Sequence, residues 1–234
     1  MNGKLFVALI LLALVIALPV GGVAVYTWLY QYNSGSLFIY VHSVNDQFAP
    51  LNDSIVCIRN VSGNSTTIFI PKLTSEIGII NYSNVEKGTY EISIVSEGYK
   101  YFSTTKDVIY NRTNSKILKF GPTPENQTNV RLTGQPSFID LDATKNENKT
   151  IVLLLISINF TGELTIKTEH SPLPLEYPLG LNIQIDKPTV SLRPGDTVSA
   201  LVTLSLTPDA KTGYYGVTFS AYDASKTVVI NVAK

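Results

Sequence analysis

The sequence predicts an all-β protein: two tandem β-sandwich domains that follow one N-terminal transmembrane helix. Three observations predict it. Leu5 to Leu29 is an uncharged apolar run. Nearly everything after it alternates apolar and polar residues with a period of two, the signature of half-buried strands. Turn-forming clusters such as Asn60-Val-Ser-Gly63, Glu86-Lys-Gly88 and Arg193-Pro-Gly-Asp196 separate these short segments.

The apolar run comes first in the chain. A bilayer core is about 30 Å thick and needs roughly 20 apolar residues to cross it as a helix. The run has 25. Tyr26, Trp28, Tyr30 and Tyr32 gather at its far end, where amphipathic rings favour the headgroup layer. Lys4 stands before it, and the next Lys or Arg is Arg59. By the positive-inside rule the N-terminus is cytoplasmic and the remainder extracellular, which makes the lipid bilayer a partner through residues 5–29. A cleaved secretory leader is the alternative. Leu5 to Leu18 resembles a signal core, and Gly22-Val-Ala24 offers small residues for a cut after Ala24. The protein is then secreted.

Composition narrows the rest. Lys plus Arg and Asp plus Glu are equal at 18 each, so no electrostatic case exists for a nucleic-acid partner. Charged residues make up only 15% of the chain, so solubility falls to Ser, Thr, Asn and attached sugar. Cys57 is the single cysteine, which excludes an intrachain disulfide.

Residues 36–120 read as the first sandwich. Leu37, Ile39 and Val41 share one strand face, opposite Phe38, Tyr40 and His42. Ser54-Ile-Val-Cys-Ile58 is a short apolar run. Tyr90, Ile92 and Ile94 alternate with Thr89, Glu91 and Ser93, and Ile117-Leu-Lys-Phe120 closes the unit. Asn45-Asp-Gln-Phe-Ala-Pro-Leu51, then Ile55-Val-Cys-Ile58, then Gly88-Thr-Tyr and Gly98-Tyr99 resemble the carboxypeptidase-regulatory-like, transthyretin-like module. That resemblance implies a seven-stranded spacer or interaction unit. Asn52-Asp-Ser54 departs from the Gly-Ala pair usual after Pro-Leu. Gly98 can turn the chain at positive φ, leaving Tyr99 to lay its ring on the sandwich edge and send its hydroxyl to backbone.

Residues 121–128, with two prolines, read as a semi-rigid linker. Residues 129–234 read as the second sandwich. Thr150 to Ile158 is expected to be a central strand buried on both faces. Val198, Ala200, Val202, Leu204 and Leu206 line one face of a long strand. Tyr215, Val217, Phe219 and Ala221 line another, and Val228, Ile230 and Val232 end the chain. Pro194 and Gly195 fit the central positions of a type II turn. The succession of these strands with Pro208-Asp-Ala210 and Gly213-Tyr-Tyr resembles Ig-like surface domains, which implies a fold class only. The Asn, Ser, Thr and Tyr content at low charge resembles archaeal cell-surface glycoproteins.

Eight sequons fit Asn-x-Ser/Thr: Asn52, Asn60, Asn64, Asn81, Asn111, Asn126, Asn148 and Asn159. Most fall in turns or at strand ends, and Asn159, ending an apolar run, is the poorest acceptor.

Catalytic, cofactor and metal inventories come up empty. His42 sits on an outward strand position and His170 precedes Ser171-Pro172 in the other half. No His-x-x-x-His or Cys-x-x-Cys spacing occurs. Cys57, within an apolar strand, reads as a small buried hydrophobe. Asp140 and Asp142 share a strand face, but two donors fall short of the six to eight oxygens calcium takes. No Gly-rich phosphate loop opens a helix.

The reading is therefore a non-enzymatic, membrane-anchored extracellular glycoprotein. Its sandwiches would serve structure, adhesion or interaction, with other surface proteins or copies of itself as partners. One alternative is a secreted pilus or thread subunit whose tail from Val25 completes a neighbour's sandwich by donor-strand addition. Another is an accessory subunit of a membrane complex, held through Gly21-Gly22.

Overall fold

A computed structural model describes residues 34–62, 71–110, 115–125, 127–145, 147–175 and 180–234. The apolar run 5–29 and the sequons Asn64, Asn111 and Asn126 lie outside the described residues. Among the described residues all regular structure is strand, and no helix is long and apolar enough to cross a membrane.

The first half contributes β1 (Ser34–Ser43), β2 (Asp46–Pro50), β3 (Ile55–Asn60), β4 (Lys72–Leu73), β5 (Ile79–Glu86), β6 (Gly88–Val95), β7 (Phe102–Val108) and β8 (Ser115–Phe120). β1 is the axis of one sheet. It pairs antiparallel with β5 and, past a register shift, with β2; β8 joins its other edge in parallel. The second sheet runs β4-β3-β6-β7. The period-two pattern does what it should: Leu37, Ile39 and Val41 are fully buried in one cluster with Val56, Ile58, Tyr90, Ile92 and Ile94 of the other sheet. Two tyrosine hydroxyls taken inside find backbone acceptors, as burial favours, while the buried Tyr110 hydroxyl has no hydrogen-bond partner among the described residues. Tyr82 donates to the Val56 carbonyl at 2.7 Å and Tyr90 to the Glu86 carbonyl at 3.0 Å.

The second half contributes β9 (Val130–Gln135), β10 (Phe138–Asp142), β11 (Asn148–Ser157), β12 (Gly162–Thr165), β13 (Lys167–His170), β14 (Leu181–Ile185), β15 (Thr189–Leu192), β16 (Thr197–Leu206), β17 (Gly213–Ala221) and β18 (Ala224–Ala233). One sheet runs β14-β16-β11-β9, the other β10-β18-β17-β13, and β12 pairs β15 as a ribbon. The chain changes sheets between β9 and β10, across the cis Gln135–Pro136 bond. Ala200, Val202 and Leu204 on β16 meet Tyr215, Val217, Phe219, Val228 and Ile230 in a second apolar cluster. The Tyr215 hydroxyl donates to the Lys211 carbonyl at 2.8 Å. The type II turn forms as expected: Gly195 has φ +87° and the Asp196 amide donates to the Arg193 carbonyl at 3.0 Å.

Two expectations are corrected. Thr150 to Ile158 is central within its sheet, between β16 and β9, but only one face is covered. Ile151, Leu153 and Leu155 are buried, while Val152, Leu154 and Ile158 are exposed beside Leu201. An unbroken apolar run does not reveal whether a second layer exists to cover its other face. The segment read as a semi-rigid linker is pinned. Lys100 N–H donates to the Thr123 carbonyl and Glu125 N–H to the Gly98 carbonyl, both at 2.8 Å, and Tyr99 bridges Pro124. The linker thus lies along the β6–β7 turn, where Gly98 does take a positive φ of 75°. Its far end is held too: the Asp223 carboxylate accepts from the Asn129 and Val130 amides.

Candidate functional site

The most developed polar site lies on the seam between the halves, and strand parity builds it. On β3, Val56 and Ile58 point into the first core, so Ile55 and Cys57 fall on the opposite face. There they form a third apolar cluster with Leu173, Leu175 and Val229 from the second half, flanked by Leu73, Val95, Phe138 and Tyr214. The Phe138 and Tyr214 rings meet at 6.3 Å, tilted by 53°. Burying one aliphatic side chain stabilises by about 1.5–3 kcal/mol, so this seam resists separation of the halves.

A polar border closes the seam. Lys226 sits on β18 at the same parity as Val228 and Ile230, at the edge of the second core. Its ammonium donates to Glu97 Oε2 and to Ser137 Oγ, each at 2.9 Å, with its side chain only 7% exposed. Arg131 approaches the other Glu97 oxygen at 3.9 Å. Behind Glu97, the buried hydroxyls of Ser54 and Ser96 are 2.6 Å apart, and Thr74 donates to the Leu51 carbonyl at 2.7 Å. On the second half's side of the seam, the paired Thr218 and Thr227 hydroxyls lie 2.9 Å apart. A cleft of about 330 Å³ opens beside this border, lined by both halves, with Tyr99, Tyr101 and Glu125 on one side and Thr218, Ser225 and Lys226 on the other.

Chemically, the cleft offers one buried cation, carboxylates and hydroxyls. The nearest thiol is unsuited to attack. Burial pushes Cys57 up to about 12, an effect that Arg59 partly opposes and Glu91 reinforces, so the nucleophilic thiolate is absent at neutral pH. Arg59 is itself ion-paired with Glu91. Among the described residues, no group of three or more His, Cys, Asp or Glu is placed to hold a metal ion.

The residues singled out in the sequence are scattered. His42 is half-buried, its Nδ1 2.8 Å from the Ser43 carbonyl and its ring stacked on Tyr40 at 5.4 Å. His170 ends β13 with Nδ1 2.9 Å from the Ser171 carbonyl. Asp140 accepts from Asn231 at 2.8 Å, whereas Asp142 accepts from Thr144 and pairs with Lys145, so their oxygens serve separate partners. Among the sequons, Asn52, Asn81, Asn148 and Asn159 are exposed. Asn60 is half-buried: its Oδ1 accepts from the Ser62 amide and hydroxyl, and its Nδ2 reaches the Tyr90 hydroxyl at 3.5 Å. Tyr99 contributes its backbone bridge to the linker; the hydroxyl-to-backbone bonds belong to Tyr82, Tyr90 and Tyr215.

Sequence reasoning passed over Lys226, Glu97 and Ser137. One signal was there: a lysine at the inward parity of an otherwise apolar strand requires a partner.

Fold and seam together define an all-β protein of sandwich-like layers joined through a buried interface. No family model matches the chain, and no curated protein matches it. Among solved structures, the major pilin subunit BcpA of Bacillus cereus aligns at 14% identity over 85% of this chain and 69% of its own, with a TM-score of 0.34. A DUF3823 family protein from Bacteroides uniformis aligns at 11% identity over 85% of this chain and 97% of its own, TM-score 0.34. The major pilin SpaA of Corynebacterium diphtheriae aligns at 11% over 81% and 63%, TM-score 0.33. Likeness this faint transfers no role.

Proposed function

We propose that this chain is a non-enzymatic, membrane-anchored extracellular glycoprotein in which two sandwich domains are locked into one rigid unit. The seam carries the reading. An apolar cluster drawn from both halves, closed by the Glu97–Lys226–Ser137 bonds and a pinned linker, suits a spacer or contact module that must hold its shape. The strand orders support a finer fold name. β9-β11-β16-β14 opposite β18-β17-β13, with β10 added in parallel beside β18, follows the ABED and GFC strand orders of an immunoglobulin-type sandwich, and Tyr215 stands where such folds carry a tyrosine corner. Sugar is expected on the exposed Asn52, Asn81 and Asn148, while the carboxamides of Asn60 and Asn159 are already engaged, the latter donating to the Thr128 carbonyl at 2.9 Å.

Polymerisation by donor-strand addition is the weaker reading. β1 is flanked by β5 on one side and β8 on the other, so a neighbour's tail from Val25 would have to add at an edge strand and not beside β1.

Protease treatment of intact cells, with N-terminal and glycopeptide mass spectrometry of the native protein, tests the proposal. The expected result is digestion of residues beyond Ser36 in intact cells, an uncut peptide spanning Ala24–Val25, and hexose-bearing peptides at Asn52, Asn81 and Asn148. Protection in intact cells but loss in broken ones would overturn it.

A further inference from the structure

We infer that the end of the first sandwich where β1 begins is a seat for the outer headgroup layer of a bilayer. This rests on the reading of residues 5–29 as an uncleaved anchor. The register brings one set of turns to that end. Ser34 pairs with Glu86, Gly88 with Val108, Asn60 with Tyr90, and Ser36 with Ser115. Three exposed residues at or near those turns are apolar where solvent would favour polar ones. Ile109, one residue past β7, is 69% exposed; Ile117, in the first turnward half of β8, is 64% exposed; Val61, just past β3, is 41% exposed. Lys87, exposed in the β5–β6 turn, adds a cation suited to lipid phosphate, beside Glu86.

The chain's own reach selects bilayer over other occupants. Only Tyr30 to Asn33 separate Leu29, the last residue of the apolar run, from Ser34. An extended chain spans at most about 3.6 Å per residue, so Ser34 stands within about 18 Å of Leu29. If Leu29 ends at the membrane surface, the short tether holds this end of the sandwich within about 18 Å of it, close enough to settle on the headgroups and desolvate its exposed isoleucines. The engaged carboxamide of Asn60 agrees with a face left bare of sugar.

The test uses the full chain in phosphatidylcholine vesicles, carrying a single environment-sensitive fluorophore on Ile109→Cys, Ile117→Cys or Ile77→Cys in a Cys57→Ala background. Ile77 is 63% exposed and lies in the turn before β5, away from this end. A headgroup nitroxide lipid is expected to quench the probes at 109 and 117 severalfold more than the probe at 77. Equal quenching at all three sites, with the protein retained on vesicles, would overturn the seat and leave the anchor standing. A chain that fails to stay with vesicles would overturn both. Sugar on Asn60 or Asn111 of the native protein, beside Val61 and Ile109, would also count against the seat.

Discussion

Lys226 Nζ lies 2.9 Å from Glu97 Oε2, a contact between residues 129 positions apart that joins one half of the molecule to the other. The lysine is nearly enclosed and the glutamate partly so. Breaking one member of an enclosed pair leaves the other charge without its partner, which costs about 3–5 kcal/mol when both are fully buried. With Glu97 open to water, Lys226→Ala is expected to cost roughly 2 kcal/mol and to lower the thermal midpoint. The double variant with Glu97→Gln measures the coupling. A coupling energy near zero would show that the pair adds nothing to the seam.

The raised pKa of Cys57 makes a second expectation. Its ordinary value is near 9.0 and burial lifts it to about 12. The folded chain therefore keeps this proton over a range in which the unfolded chain has lost it. Stability is unaffected below pH 9 and falls as pH climbs toward 12, at up to about 1.4 kcal/mol per pH unit. Burial raises Tyr82 as well, in the same alkaline direction. Urea midpoints measured from pH 8 to 11 should decline, with a shallower decline for Cys57→Ala. A thiol reagent at pH 8 should label Cys57 only after unfolding.

Tyr90 and Tyr215 each send a hydroxyl to the carbonyl four residues earlier, Tyr90 at the start of β6 and Tyr215 near the start of β17. Tyr→Phe at either position keeps the ring and leaves a carbonyl short of a donor. Each change should cost about 1 kcal/mol. A chemical-denaturation series on Tyr90→Phe, Tyr215→Phe and the pair should show near-additive losses, since the two sites share no partner.

Gly78 and Gly98 both take positive φ, at +69° and +75°, yet their surroundings differ. A Cβ on Gly78 would come 2.5 Å from the Val41 carbonyl oxygen, the β1 residue whose amide donates to the Gly78 carbonyl; on Gly98 it would meet nothing within 4 Å. Gly98→Ala should cost about 1 kcal/mol, the left-handed penalty alone. Gly78→Ala should cost roughly 3 kcal/mol or more, since backbone must also shift. Comparable midpoints for the two variants would contradict the packing at β1.

The inner faces of the sheets in both halves were legible in the chain. Leu37-Ile39-Val41 and Val198 to Leu206 announce their parity directly, because water contributes the same penalty at every other position whatever else surrounds the strand. The Pro194-Gly195 turn was legible for an equally local reason. Outer faces were not. Ile55-Val-Cys-Ile58 and Thr150 to Ile158 are similar apolar runs, yet the first is covered on both faces by the seam and the second on one only.

The inward faces of the long strands and the Pro194-Gly195 turn are thus properties of the sequence alone, since they follow from backbone geometry and a two-residue period within a few neighbours, whereas Asp46–Pro50, read as a turn, and His170, read in a loop, are strand residues. The seam, the pinning of the linker and the partnership of Glu97, Ser137 and Lys226 belong to the tertiary structure. They depend on which outer faces meet, and residues as much as 129 positions apart acquire a shared environment only when the sheets stack.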